Sequence, residues 1–91
     1  MEPIRIVLAE DHTLVREGTR HILEQYSDLA VVGEAGDGLQ ALELVESLKP
    51  DVAIVDVCMP KLSGIEGVRR IKMSSPNTRA LVLTAYDDDD Y

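Results

Sequence analysis

The chain has 91 residues, enough for one small domain with a limited core. Its hydrophobic content of 45% and charged content of 29% are typical of a folded globular protein and exclude a disordered chain. A net charge of −8 argues against direct contact with nucleic acid. The chain has one cysteine, and it shows neither a secretory signal nor an apolar run long enough to span a bilayer, so we predict a cytoplasmic protein without membrane contact.

The first third of the chain alternates between strand and helix patterns. Residues 4–9 form a short, nearly continuous apolar run, which is typical of a strand buried on both faces. Apolar residues at helical spacing follow from Leu14 to Leu23 and predict a helix that ends near Tyr26. Residues 30–35 then have the pattern of a second strand.

A second helix is predicted between Asp37, which can cap its start, and Pro50, which stops it. We expect its inward stripe to consist of leucines and one valine at helical spacing. These residues are Leu39, Leu42, Val45 and Leu48.

The rest of the chain repeats the same alternation. Residues 52–55 predict a third strand that ends at Asp56, and residues 80–84 predict a fourth. Between them, Ser63 and Glu66 have the spacing of a capping box that opens a third helix. The order β-α-β-α-β-α-β predicts an α/β fold, with a parallel sheet, right-handed crossovers and helices on both faces.

Acidic residues follow two of these strands. Glu10 and Asp11 come directly after the first strand, and Asp56 ends the third. Ligands of open parallel sheets bind beyond the carboxyl ends of the strands, where the strand order reverses. If the order is 2-1-3-4, the three carboxylates meet in one pocket, and Thr84 faces Asp56 from the fourth strand.

Three clustered carboxylates repel one another, by about 3 kcal/mol for a pair about 5 Å apart at an effective dielectric constant of about 20. A hard divalent cation removes that cost, and Mg²⁺ prefers oxygen ligands while keeping waters that a phosphate can displace. A carboxylate oxygen of Asp56 can then act as a nucleophile toward phosphorus. Taken singly, however, each of these residues could be a helix cap or a strand end with no chemical role.

The motifs together resemble the response-regulator receiver domain of two-component signalling, over essentially all 91 residues. The matching segments are Ala9-Glu10-Asp11-His12, Asp56-Val57-Cys58-Met59-Pro60 with Gly64 four residues on, and Leu83-Thr84-Ala85. The amino-acid sequences of the first segment and of residues 32–35 resemble those of the branch that carries a LuxR-type helix-turn-helix output domain. The resemblance implies a flavodoxin-like, doubly wound fold and a phospho-accepting function.

The resemblance also implies residue roles. Asp56 would take a phosphoryl group from a sensor histidine kinase or a small phosphodonor. Asp11, Asp56 and the backbone carbonyl of Cys58 would hold Mg²⁺, with Glu10 acting mostly through water. Thr84 would bring its hydroxyl to the phosphoryl oxygens.

Four further positions would shape the pocket. Ala85 would leave room for the phosphate and offer its backbone N–H, and Met59, Pro60 and Gly64 would form the loop over the site. The domain would be no enzyme beyond self-phosphorylation from small donors and autodephosphorylation, and DNA would be bound only through a separate C-terminal domain.

Receiver domains continue into a fifth strand that ends in a lysine, whereas this sequence ends at Tyr91. We therefore interpret residues 1–91 as one incomplete receiver domain with an acidic tail at 87–91. The fourth strand would then be an uncovered sheet edge, and we expect self-association through it.

Two other functions stay open from the sequence. One is a metal-dependent phosphohydrolase with an aspartyl-phosphate intermediate, although such sites usually place a second acid where this chain has Cys58. The other is an inactive protein-binding fragment in which the acids have no role.

Overall fold

A computed structural model describes residues 2–56 and 64–83. Strands and helices alternate strictly within these ranges. In chain order they are β1 (Ile4–Ala9), α1 (Thr13–Glu24), β2 (Leu29–Ala35), α2 (Gly38–Leu48), β3 (Val52–Asp56), α3 (Gly64–Ser74) and β4 (Arg79–Leu83).

The four strands form one sheet in the order β2-β1-β3-β4, and every neighbouring pair is parallel. The predicted α/β fold and strand order are therefore confirmed. β1 lies between β2 and β3, and Ala9 pairs with Val55 near the carboxyl ends of the two strands. The residues that follow β1 and those that end β3 consequently lie at the same edge of the sheet.

Alternate residues of the central strands face two separate apolar clusters. Val7 and Val55 belong to the cluster under α2 and α3, where they pack with the fully buried Val45 and with Ile71. Ile6, Leu8 and Ile54 belong to the cluster on the opposite face, which Leu23 of α1 partly covers. Within the described ranges no helix has the length and hydropathy of a bilayer span.

The start and end of α2 follow from local chemistry. Asp37 is the N-cap residue, and its side chain accepts a hydrogen bond of 2.8 Å from the backbone N–H of Gln40. The helix ends at Leu48, and the C-cap residue Lys49 has a left-handed backbone conformation (φ 46°) just before Pro50. Both predicted limits of this helix are confirmed.

The predicted inward stripe of α2 is confirmed at Leu42, Val45 and Leu48, which lie in or against the core, and is wrong at Leu39. Leu39 is 45% exposed, because the inward stripe of α2 begins with small residues, Gly38 and Ala41, and continues through Val45. No residue of α1 is buried, and Leu14 is 76% exposed. The predicted capping residue Ser63 lies outside the described residues.

Candidate functional site

Three carboxylates lie at the carboxyl edge of β1 and β3. Glu10 continues the line of β1, and its backbone N–H donates to the carbonyl of Ala35 over 3.0 Å. Asp11 follows it, and Asp56 is the last residue of β3. Glu10 and Asp56 are 7% and 6% exposed, so both acids are held in the sheet edge rather than on its surface. Burial of two acids side by side is costly unless a positive group compensates them.

The expected convergence of these acids is observed. Four possible ligand atoms lie within 4.8 Å of one another. They are one carboxylate oxygen from each of Glu10, Asp11 and Asp56, and a ring nitrogen of His12. The parallel pairing of β1 with β3 produces this arrangement, since it places the ends of the two strands side by side. We call these four residues the acidic cluster.

The sequence motifs assign no role to His12, yet it contacts two of the acids. Its backbone N–H donates to Glu10 Oε2 over 2.9 Å, and its Nδ1 lies 3.0 Å from the same oxygen and 3.2 Å from Asp11 Oδ1. The hydrogen bond to Glu10, and then the negative charges of Asp11 and Glu10, raise the pKa of His12 above its ordinary value of 6.5. His12 is also the N-cap residue of α1, but its side chain makes no capping hydrogen bond because it is turned toward the acids.

Arg16 of α1 fixes the turn that carries Glu10. Arg16 Nη1 donates to the backbone carbonyl of Glu10 over 2.8 Å, and Arg16 Nε lies 3.5 Å from Glu34 of β2. Arg20 approaches the other carboxylate oxygen of Glu34, at 3.3 Å. The turn after β1 is thus tied to both α1 and β2.

One observation tests whether the cluster suits a metal ion. Asp11 Oδ1 is inaccessible to solvent and, among the described residues, accepts no hydrogen bond. The neighbouring His12 Nδ1 can carry only one proton, and Glu10 Oε2 lies closer to it. A buried carboxylate oxygen that accepts no hydrogen bond, with two further carboxylates within 4.8 Å, fits a divalent cation with oxygen ligands.

Several predicted site residues lie outside the described residues. These are Cys58, Met59, Pro60, Thr84 and Ala85. Gly64 is described as the first residue of α3.

A small cavity of about 120 Å³ opens beside the acids, between α1 and the sheet. Glu10, Asp56 and Leu83 are among the residues that line it. Asp56 pairs with Leu83, the last described residue of β4.

His12, Arg16, Arg20 and Glu34 are the site residues that sequence reasoning missed. The two arginines are four residues apart and so lie on the same face of α1, which indicates that they could contact the same acidic residue. Their partner on β2 depends on the register between that helix and the strand, which no local pattern gives. His12 adjoins the acid pair in the sequence, but only the turn geometry brings its ring back onto them.

A comparison with protein families identifies the family of this chain. The response regulator receiver domain matches residues 6–91. The chain belongs to this family.

Curated relatives of this receiver domain include the uncharacterized transcriptional regulatory protein YxjL of Bacillus subtilis, 44% identical over 90 residues (99% of the chain, 41% of that protein). The transcriptional regulatory protein DegU of Brevibacillus brevis is 42% identical over 88 residues (97% of the chain, 37% of that protein).

Solved structures agree with this assignment. The signal receiver domain of the response regulator NarL from Mycobacterium tuberculosis has 38% identity and a TM-score of 0.91, covering 99% of this chain and 73% of that one. The isolated receiver domain of RcsB from Salmonella enterica, determined in the presence of the phosphomimetic BeF₃⁻, has 32% identity and a TM-score of 0.85, covering 96% and 65%. The chain spans about two fifths of the length of the curated relatives it matches.

Proposed function

We propose that this receiver domain accepts a phosphoryl group on Asp56 and so acts as the switch of a two-component response regulator. The observation that carries the proposal is the convergence of Glu10, Asp11 and Asp56 at one edge of a parallel sheet. The family match supports it. The role is that of an acceptor, with one phosphoryl group taken up per chain and no separate substrate turned over.

The chemistry assigned to Asp56 is a single displacement at phosphorus. One of its carboxylate oxygens forms a bond to the phosphorus atom of a phosphohistidine on a sensor histidine kinase. The P–N bond breaks, its electron pair stays with the imidazole nitrogen, and that nitrogen takes up a proton. A small donor with a P–N bond, such as phosphoramidate, can take the place of the kinase.

Mg²⁺ is the cofactor that we assign to this site. Asp11 and Asp56 would hold it directly and Glu10 would act mostly through water, with the backbone carbonyl of Cys58 as a further ligand. When bound, the ion offsets the negative charge of the carboxylates and of the transferring group. Arg16 fixes the backbone of the turn that presents Glu10.

The remaining roles rest on the family resemblance. We assign the switch hydroxyl to Thr84, and space and a backbone N–H for the phosphate to Ala85. Met59, Pro60 and Gly64 would shape the loop over the site.

The regulatory setting is proposed from the relatives. YxjL and DegU are named transcriptional regulatory proteins, and RcsB has been determined bound to the promoter rprA. We infer that the parent protein is a cytoplasmic transcriptional regulator, and that a separate domain binds DNA.

Self-association is a further part of the proposal. Within the described ranges β4 pairs with β3 alone, and Leu81, Val82 and Leu83 are 52%, 42% and 45% exposed. An open strand edge with apolar side chains can pair with the same edge of a second chain.

Phosphorylation with a small donor tests the proposed acceptor. The chain is incubated with phosphoramidate and Mg²⁺, and base-labile phosphate is measured by mass spectrometry. The matched control is Asp28→Asn, an exposed acid at the opposite end of the sheet. We expect labelling of the wild type and of Asp28→Asn, and none of Asp56→Asn.

Three results would contradict the proposal. Labelling that persists in Asp56→Asn removes that residue from its assigned role. A wild-type chain that takes up no phosphate shows that the described carboxylates are insufficient. Continuous release of phosphate over many turnovers indicates a hydrolase rather than an acceptor.

A further inference from the structure

We propose that His12 is a ligand of the metal site through Nδ1, so that this receiver domain binds nitrogen-preferring transition-metal ions more tightly than a carboxylate-only site would. The inference rests on the proposed function, because it concerns the same metal site. It adds a nitrogen ligand and a metal preference to that site.

The distances around His12 Nδ1 are those of ligands on one ion. In an octahedral site with bonds of about 2.1 Å, adjacent ligand atoms lie about 3.0 Å apart and opposite ones about 4.2 Å apart. His12 Nδ1 lies 3.0 Å from Glu10 Oε2 and 3.2 Å from Asp11 Oδ1. The separation from Asp11 Oδ1, the direct ligand, matches adjacent corners of such an octahedron.

The fourth ligand completes the same set. The four atoms of Glu10, Asp11, His12 and Asp56 lie within 4.8 Å of one another, so no separation exceeds that of opposite octahedral ligands by more than roughly 0.6 Å. The His12 side chain is 70% exposed, so a small rotation of its ring disturbs no core packing. Its backbone is fixed at the N-cap of α1, which keeps the ring over the acids.

Coordination exchanges one contact for another without leaving a polar group unpaired. In the metal-free arrangement Nδ1 and Glu10 Oε2 share a hydrogen bond. In the coordinated arrangement Nδ1 directs its lone pair to the ion, while Glu10 Oε2 faces an ion-bound water and still accepts from the backbone N–H of His12. The imidazole proton then lies on Nε2, where solvent can accept it because the ring is exposed.

The chemistry of the ligand set predicts which ions bind more tightly because of His12. Imidazole suits Ni²⁺, Zn²⁺ and Cu²⁺, whereas carboxylates and water suit Mg²⁺ and Mn²⁺. One nitrogen among three carboxylates should therefore raise the affinity for Ni²⁺ more than the affinity for Mg²⁺. Mn²⁺ accepts both kinds of ligand and can serve as a magnetic probe of the site.

Pulsed electron paramagnetic resonance of the Mn²⁺-loaded chain tests the coordination directly. A directly bound imidazole nitrogen produces nitrogen modulation of the electron spin echo. We expect that modulation in the wild type and in the control His21→Gln, an exposed histidine in the last turn of α1, and its loss in His12→Gln. A wild type that binds Mn²⁺ without nitrogen modulation, or modulation that survives in His12→Gln, overturns the proposal.

Metal competition supplies an independent readout. We expect His12→Gln to lower the ratio of Ni²⁺ to Mg²⁺ affinity by about tenfold, measured by calorimetric titration, because only Ni²⁺ loses a favoured ligand. An unchanged ratio shows that His12 acts only as a hydrogen-bond partner of Glu10. No phosphodonor is present in either measurement, so these results are separate from the phosphorylation of Asp56.

Discussion

His12 makes the acidic cluster sensitive to pH in the absence of metal. Its hydrogen bond to Glu10, and then the charge of Asp11, raise its folded-state pKa above 6.5. Because the folded-state value exceeds the unfolded one, the resulting stabilisation is fully present below pH 6.5 and is lost as the pH rises through the folded-state pKa. In EDTA, the stability difference between the wild type and His12→Gln should therefore shrink with rising pH.

Nuclear magnetic resonance can measure that pKa in the chain without metal. Glu10→Gln removes the largest cause of the shift, so we expect the pKa of His12 to fall toward 6.5. The signals of His21, near the other end of α1, should not respond to the substitution. A His12 pKa that is the same with and without the Glu10 carboxylate would contradict the assigned contact.

Arg16 holds the turn that presents the first acid. Arg16→Met keeps much of the apolar stem but removes the hydrogen bond to the carbonyl of Glu10, so the turn loses its anchor on α1. We expect the Mg²⁺ affinity to fall by about tenfold, a typical effect of losing a group that orients a metal ligand.

Arg20→Met is the matched control for that substitution. It removes a contact with Glu34 but none with Glu10. We expect its Mg²⁺ affinity, measured by calorimetry, to stay close to that of the wild type. Equal losses in the two variants would show that the charge of α1, rather than the anchored turn, governs metal binding.

At the scale of elements, the sequence predicts strands better than helix faces. β1 and β3 were predictable because continuous apolar runs are typical of strands buried on both faces, and Ile6 to Ala9 are indeed buried. The inward face of α2 was predictable in part, since Val45 is buried and Leu42 and Leu48 pack against the core, whereas its first positions are Gly38 and Ala41. Small residues carry little hydrophobic signal, so the leucine pattern placed Leu39 inside when it is exposed.

Two substitutions in α2 test this helix orientation. Val45→Ala should cost about 1–3 kcal/mol in the free energy of unfolding, because Val45 is fully buried and the deletion leaves a cavity. Leu39→Ala should cost about 0.5 kcal/mol or less, since Leu39 is 45% exposed. Urea denaturation measures both values, and equal costs would contradict the observed orientation of the helix.

At the scale of the whole molecule, strand order was the decisive prediction for the site. The alternation of elements predicts a parallel sheet, and the order 2-1-3-4 brings Glu10, Asp11 and Asp56 together. The contacts of His12, Arg16 and Glu34 depend instead on side-chain directions across three elements. Those directions depend on how the three elements are aligned with one another, and the pattern of a single sequence does not give that alignment.

Among the described strands β4 pairs only with β3, and this edge leads to a prediction about association. Light scattering of the wild-type chain at tens of micromolar should show species larger than a monomer, because Leu81 and its neighbours leave the edge apolar. Leu81→Lys should shift the population toward monomer, and Leu39→Lys, which adds the same charge to α2, should not. A strictly monomeric wild type would contradict edge pairing.

A Mg²⁺ titration followed by the backbone amide signals tests the central claim most directly, namely that acids from two strands hold one ion. We predict that the amides of Glu10, Asp11 and Asp56 shift together, with one common dissociation constant, and that Asp56→Asn weakens the response of all three. Signals near Asp56 that shift with a different constant from those near Glu10, or that do not shift at all, would contradict the account.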